Sequence, residues 1–206
     1  MRLLVEEIRL LETRISQLEV ELAQLARQSP ACKTLLTVPG VGLLTATALD
    51  KARGSGLACA SPDGAESERL AGRDVKAATS GDVTHFKDAR HFASWFGLTP
   101  KESSSGTTRR LGRISKRGDR YLRMLLTHGA RSVLRAATVA DCSGKTIDPL
   151  RRWALTVQGR TNHNRATCAL ANKMARICYA LLRDHQDYGA ARVNRKLTRE
   201  TYAQPA

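Results

Sequence analysis

Between Leu4 and Leu25 the apolar residues fall at Leu4, Ile8, Leu11, Ile15, Leu18, Leu22 and Leu25, with spacings that alternate four and three. This is a heptad seam with Ile8, Ile15 and Leu22 at one position and leucines at the other, a combination that favours two strands. The pattern predicts a coiled-coil dimerisation helix over 1–29, closed by Pro30. About three heptads are marginal alone, so other contacts must support the pair. The competing reading is an amphipathic helix packed on its own domain. Residues 30–50 then read as a short apolar helix, the turn Pro39-Gly40-Val41-Gly42, and a second apolar helix. That order predicts a helix-hairpin-helix. Gly40 and Gly42 permit a tight turn whose exposed backbone N–H groups, with the following helix N-terminus, suit one phosphate. Such hairpins also serve packing alone.

Periodicity disappears over 51–78, where Ala, Gly, Ser and Pro make up 15 of 28 positions. This stretch is expected to be a loop or disordered insertion without chemistry. A further domain is expected over 79–185, with order resuming near Val83. A helix from about Asp88 to Phe96 stacks Phe92 on Phe96, stopped by Gly97 and Pro100, and its aromatics read as core. Residues 101–117 form a polar, basic loop. Asp119 is a good N-cap for a strong helix. At 100° per residue that helix puts Leu122, Leu125, Leu126, Gly129 and Val133 on one face. Arg120, Arg123, Thr127, Arg131 and Arg135 lie on the other, with no acid among them. Residues 141–164 read as mixed and loop-like, and a last helix spans about Arg165 to Arg183. Residues 186–206 read as a polar tail. The fold class is all-α, mainly helical: an N-terminal coiled-coil helix, a helix-hairpin-helix, and a small helical domain carrying a basic loop.

Composition narrows the partners. Aromatics are 4% of a chain whose hydrophobic share is 42%, so the core must be aliphatic. The apolar runs are far shorter than the ~20 residues of a membrane span, and no signal peptide is visible. The five cysteines lack metal-ligand spacing, so no metal or other cofactor is expected in this chain and a reducing cytoplasm is expected. The net charge of +15 is carried wholly by residues 100–206, with 22 basic and 7 acidic side chains. Most of the 22 are arginines, which suit phosphate. A nucleic acid is the expected partner. The cations that would bind it are Arg109, Arg110, Arg113, Lys116 and Arg117 in the loop, and Arg120, Arg123, Arg131 and Arg135 on the helix.

Catalytic chemistry is harder to place. A metal-dependent nuclease gathers several carboxylates around Mg²⁺, and the acids of the basic half are scattered among arginines. A glycosylase aspartate after the hairpin is unsuited too: Asp50 ends the hairpin's own helix and Asp63 lies in the insertion. The remaining nucleophile lies in Ser103-Ser104-Ser105-Gly106, where glycine admits a bulky phosphate and the following cations would stabilise a crowded transition state. No proton acceptor is evident, and a Ser-Gly loop is usually only a loop.

Three blocks resemble the C-terminal transposase domain of insertion-sequence transposases of the one-hundred-and-ten group, which includes the Piv-type DNA invertases. They are Leu36-Thr-Val-Pro-Gly-Val-Gly through Ala48, Phe92-Ala-Ser-Trp-Phe-Gly-Leu-Thr-Pro100, and Ser105-Gly106 through Ile114-Ser-Lys-Arg-Gly-Asp-Arg-Tyr-Leu-Arg123. Ala171-Asn-Lys-Met-Ala-Arg-Ile-Cys-Tyr-Ala180 resembles the family's terminal helix. The resemblance implies a DNA recombinase, homo-oligomeric in part through a coiled coil, guided by a structured RNA, and located in the cytoplasm with the nucleoid. It implies a composite active site. A RuvC-like domain supplies four acidic ligands for Mg²⁺, and the Ser-Gly element supplies a serine that becomes joined to DNA. That serine is Ser105, with Ser104 as the alternative. No RuvC-like domain is visible before the heptads, and residues 51–78 interrupt the family pattern. A truncated mobile element or a partially predicted gene explains both, so the isolated chain is expected to be inactive. The alternative is a non-catalytic, dimerising, nucleic-acid-binding remnant.

Overall fold

The computed structural model describes residues 2–54, 83, 86–108 and 110–189. Among these are seven helices and one two-stranded sheet: α1 (Arg2–Gln28), α2 (Pro30–Leu36), α3 (Leu43–Gly54), α4 (Ala89–Trp95), β1 (Pro100–Glu102), β2 (Leu111–Ile114), α5 (Arg120–Cys142), α6 (Pro149–Arg160) and α7 (His163–Asp184). The mainly helical class expected from the sequence is what forms. Most of the 51–78 insertion and residues 190–206 of the tail lie outside the described residues; residues 51–54 extend α3.

Short polar side chains set the helix starts. Ser29 Oγ accepts from the Cys32 amide at 3.3 Å, with Pro30 as the first residue of α2, so the proline both ends α1 and opens its successor. Asp88 takes the Arg90 and His91 amides of α4, each at 2.8 Å, and these bonds hold its carboxyl below the usual aspartate range. Asp119 accepts from Leu122 N at 2.9 Å to open α5, as its sequence position predicts. Asp148 and Asn162 do the same for α6 and α7.

α7 is the central helix. Leu170, Ala171, Met174, Ala175 and Cys178 are fully buried on it, and α2, α4, α5 and α6 all pack around it. One continuous core runs from Ala31 and Leu35 of α2 through Phe92 and Phe96 to Leu126, Leu134 and Leu182. The aromatics near α4 form part of it, as expected: Phe92 meets Phe96 edge-on at 4.8 Å and Phe86 at 5.1 Å. The Tyr179 hydroxyl donates to the Phe86 carbonyl at 2.8 Å, tying this cluster to α7.

The Pro39–Gly42 turn rests on α5 through glycine on both sides. Gly40 has φ +82, and a Cβ there would stand 2.5 Å from Val133 Cγ2 and 2.7 Å from the Gly129 carbonyl oxygen. Gly129 in turn leaves room for the Gly40 carbonyl. Only the last turns of α1 join the body, through buried Ala26 and half-buried Leu22 and Ala23. Leu4, Ile8, Leu11, Ile15 and Leu18 are each more than half exposed.

Two segments differ from the sequence reading. The basic loop contains a β-hairpin, and the mixed stretch 141–164 contains α6, which buries Leu150, Ala154 and Val157. No described helix is long and apolar enough to cross a membrane.

Candidate nucleic-acid interface and hairpin site

The hairpin grows out of a rigid joint at the start of α5. Gly97 (φ +67) and Gly118 (φ +100) both need left-handed backbone, and a Cβ on either would strike main chain: that of Lys116 and Arg117 for Gly97, the Trp95 carbonyl for Gly118. Lys116 N donates to the Gly97 carbonyl at 3.0 Å and Ser115 N to the Thr99 carbonyl at 2.8 Å. Lys116 itself sits at φ +56, costly for a residue with a Cβ. Asn172 of α7 donates Nδ2–H to the Leu98 carbonyl at 3.2 Å, fixing the joint to the central helix.

β1 and β2 pair antiparallel, Pro100 opposite Ile114 and Glu102 opposite Leu111, with an irregularity between. Pairing continues outward as Ser103 N donates to the Arg110 carbonyl at 2.9 Å. At the tip Ser105 and Thr108 exchange both backbone bonds, at 3.2 and 3.1 Å. The two residues between them form the turn, with Gly106 (φ +57) first, where a two-residue hairpin turn favours glycine. Residues 101–108 are exposed.

The serines differ in what they do. Ser104 Oγ donates to Glu102 Oε1 at 2.7 Å and accepts from the Arg110 amide at 3.2 Å. Ser105 is exposed next to the turn, and no described residue hydrogen-bonds to its hydroxyl.

The expected cations divide. Arg110, Arg113, Lys116 and Arg117 of the hairpin arm and Arg120, Arg131 and Arg135 of α5 are exposed, and no described residue pairs with them. Arg109 lies outside the described residues. Burial pushes the Cys168 thiol of α7 up, and the charges of Arg131 and Lys116 oppose that rise. Arg123 is engaged elsewhere: half-buried, it donates from Nη1 to the Phe96 carbonyl at 3.0 Å, at the end of α4. Burial lowers its pKa, with Asp119 opposing. Gly40 is likewise taken up in packing, while Gly42 is open, its carbonyl accepting the first α3 bond from Ala46 at 2.9 Å.

Sequence reasoning missed the Glu102–Ser104 contact and Asn172. Residues two apart share a strand face, but that spacing is informative only once the strand is known. Among the described residues no three His, Cys, Asp or Glu side chains gather to hold a metal ion.

The hairpin and all of α5 lie within a transposase domain: residues 70–146 match the model for the transposase IS116/IS110/IS902 family. A "probable family 20 transposase" of Pseudomonas aeruginosa is 38% identical over 88% of this chain and 44% of its own length. The transposase for insertion sequence element IS1111A of Coxiella burnetii is 34% identical over 84% of this chain and 39% of its own. An uncharacterised 43.6 kDa protein of insertion element IS110 from Streptomyces coelicolor is 28% identical over 83% and 33%. The chain belongs to the IS116/IS110/IS902 transposase family, as the ordered motif blocks imply. It spans less than half the length of these relatives.

Proposed function

We propose that this chain is the nucleic-acid-binding, serine-bearing part of an insertion-sequence transposase, acting on DNA, with Ser105 as the residue that becomes joined to it. The observation that carries this reading is the placement of Ser105 at the tip of an exposed hairpin, its hydroxyl free of described partners, beside an arm of unpaired cations. Ser104, the alternative, already spends its hydroxyl on the hairpin itself. Arg110, Arg113 and Arg117 along the arm and Arg120, Arg131 and Arg135 on α5 would hold phosphates, and the open N-terminus of α3 at Gly42 would take one more. Pairing along the exposed heptads of α1 would make the functional unit an oligomer, and a structured guide RNA would share the basic surface.

Attack by Ser105 Oγ on phosphorus requires a group to take its proton. A serine hydroxyl is a weak nucleophile near neutrality without one, and arginine only donates. We infer that the acceptor and the Mg²⁺-holding carboxylates come from a RuvC-like segment outside these 206 residues, and that this chain by itself binds DNA without cutting it.

The test incubates labelled DNA and Mg²⁺ with this chain, with and without the RuvC-like domain of an intact relative, and looks for a protein–DNA adduct. An adduct only with the added domain, abolished by Ser105→Ala, is expected. One formed by the chain alone would show that the other domain is dispensable. One that persists in Ser105→Ala would assign the chemistry to another residue.

A further inference from the structure

Between Asp88 and Asp119 the chain has one acid, Glu102, among Lys101, Arg109, Arg110, Arg113, Lys116 and Arg117. On a surface meant for phosphates a carboxylate is unfavourable, because it repels the ligand at close range and weakens the field of its neighbours. Its presence calls for another use, and its geometry supplies one. The Ser104 hydroxyl donates to Glu102 Oε1 at 2.7 Å and accepts from the Arg110 amide at 3.2 Å. One hydroxyl thus ties the outgoing strand to the returning strand, one residue before Ser105.

The tip has little else to hold it. A lone two-stranded hairpin is marginal in water, and this one buries no large side chain beyond its base: residues 101–108 and 110–113 are exposed. Register in such a hairpin is weakly specified by packing, and a slip of one residue turns every side chain to the other face. A slip would carry Ser105 away from the face on which it now lies. We infer that Glu102 and Ser104 are positioning residues, a latch that keeps the hairpin in the single register that presents the Ser105 hydroxyl to a phosphodiester. This rests on the reading of Ser105 as the nucleophile.

The test has two arms, both on the full chain. In the first, proton NMR follows the cross-turn NOEs between Ser105 and Thr108 and their amide shifts, without DNA. Ser104→Ala and Glu102→Ala are expected to lose the NOEs and move those shifts toward random coil. Ser104→Thr and Glu102→Gln, which keep a hydroxyl and an acceptor oxygen, are expected to retain them. In the second arm, adduct formation is timed at saturating DNA with the relative's RuvC-like domain added. The two alanine variants should slow it roughly 10- to 100-fold, the scale of an ångström-sized misplacement. Their DNA affinity should hold, or rise for Glu102→Ala, and the two conservative variants should recover most of the rate. Alanine variants with a wild-type turn spectrum overturn the latch, as do alanine variants with a disordered turn but a wild-type rate. An adduct that persists in Ser105→Ala refutes the nucleophile assignment instead, and the NMR arm then still decides whether the latch orders the turn.

Discussion

Gly129→Ala should destabilise the protein, although it improves α5 as an isolated helix. Glycine in a helix interior is worse than alanine by about 0.8–1.0 kcal/mol, so propensity alone predicts a gain of that size. Packing opposes it. A Cβ on Gly129 would stand 3.1 Å from the Gly40 carbonyl carbon, closer still to its oxygen, and 3.5 Å from Met174 Cε. The obstacle is main chain and cannot rotate away. The turn must withdraw from α5, loosening Val38, Val41, Val133 and Met174, all buried. Overpacking of this kind costs about 1–3 kcal/mol, and a backbone contact belongs at the upper end. The net loss is about 1–2 kcal/mol, or roughly 2–8 °C in Tm at this chain length. Gly159→Ala is the control, since nothing lies within 4 Å of a Cβ there and only the propensity gain of up to ~1 kcal/mol remains. Thermal melts by far-UV circular dichroism at one fixed concentration read both, because self-association would make Tm concentration-dependent. A midpoint raised by Gly129→Ala as much as by Gly159→Ala would refute the glycine-to-glycine contact.

Arg123→Ala should lower stability by about 1–2 kcal/mol through loss of its bond to Phe96, yet leave the salt dependence of DNA binding alone. Arg131→Ala should do the reverse, flattening the slope of log K against log salt by about one in a wild-type value near −5 if roughly six phosphates are engaged. Binding titrations from low to moderate salt separate the two. Burial pushes the Cys178 thiol up from 9.0 to about 12, so a thiol reagent at pH 8 should label exposed Cys142 and reach Cys178 only on unfolding. The folded state holds that thiol protonated, so its contribution is complete below pH 9 and declines as pH rises from there toward 12, which urea midpoints across that range would show. Replacing Ile15 and Leu18 with aspartate should give a monomer in the ultracentrifuge, and a wild type already monomeric at tens of micromolar would exclude pairing through α1.

The elements legible in the sequence are those whose apolar residues repeat and whose first turn is capped by a short polar side chain. α5, with Asp119 and then Leu122, Leu126 and Val133, and α4, with Asp88 and then Phe92 and Phe96, met both conditions. α6 met the second only: three buried apolar residues are too few to show a period, although Asp148-Pro149 is a helix-start signal. The hairpin met neither, because strands exposed on both faces need no alternation. Arg123 lies at the edge of the charged arc, beside the face of Leu126, and neighbouring backbone decides which way such a residue turns. Gly40 and Gly129 are far apart in the chain, and nothing in a single sequence announces that they touch. The serine block was legible as a motif, but which of its hydroxyls is occupied depends on strand register.

The long first helix has a consequence for spacing. α1 has 27 residues, roughly 40 Å at 1.5 Å each, and all but its last turns stands clear of the body. In a parallel pair both bodies would emerge at the same end, with their hairpins as neighbours. In an antiparallel pair they would sit at opposite ends of a rod about as long as twelve base pairs of duplex at 3.4 Å per step. The polarity of the seam, a matter of leucines and isoleucines far along the chain from the serines, would then set how far apart the two hairpins lie.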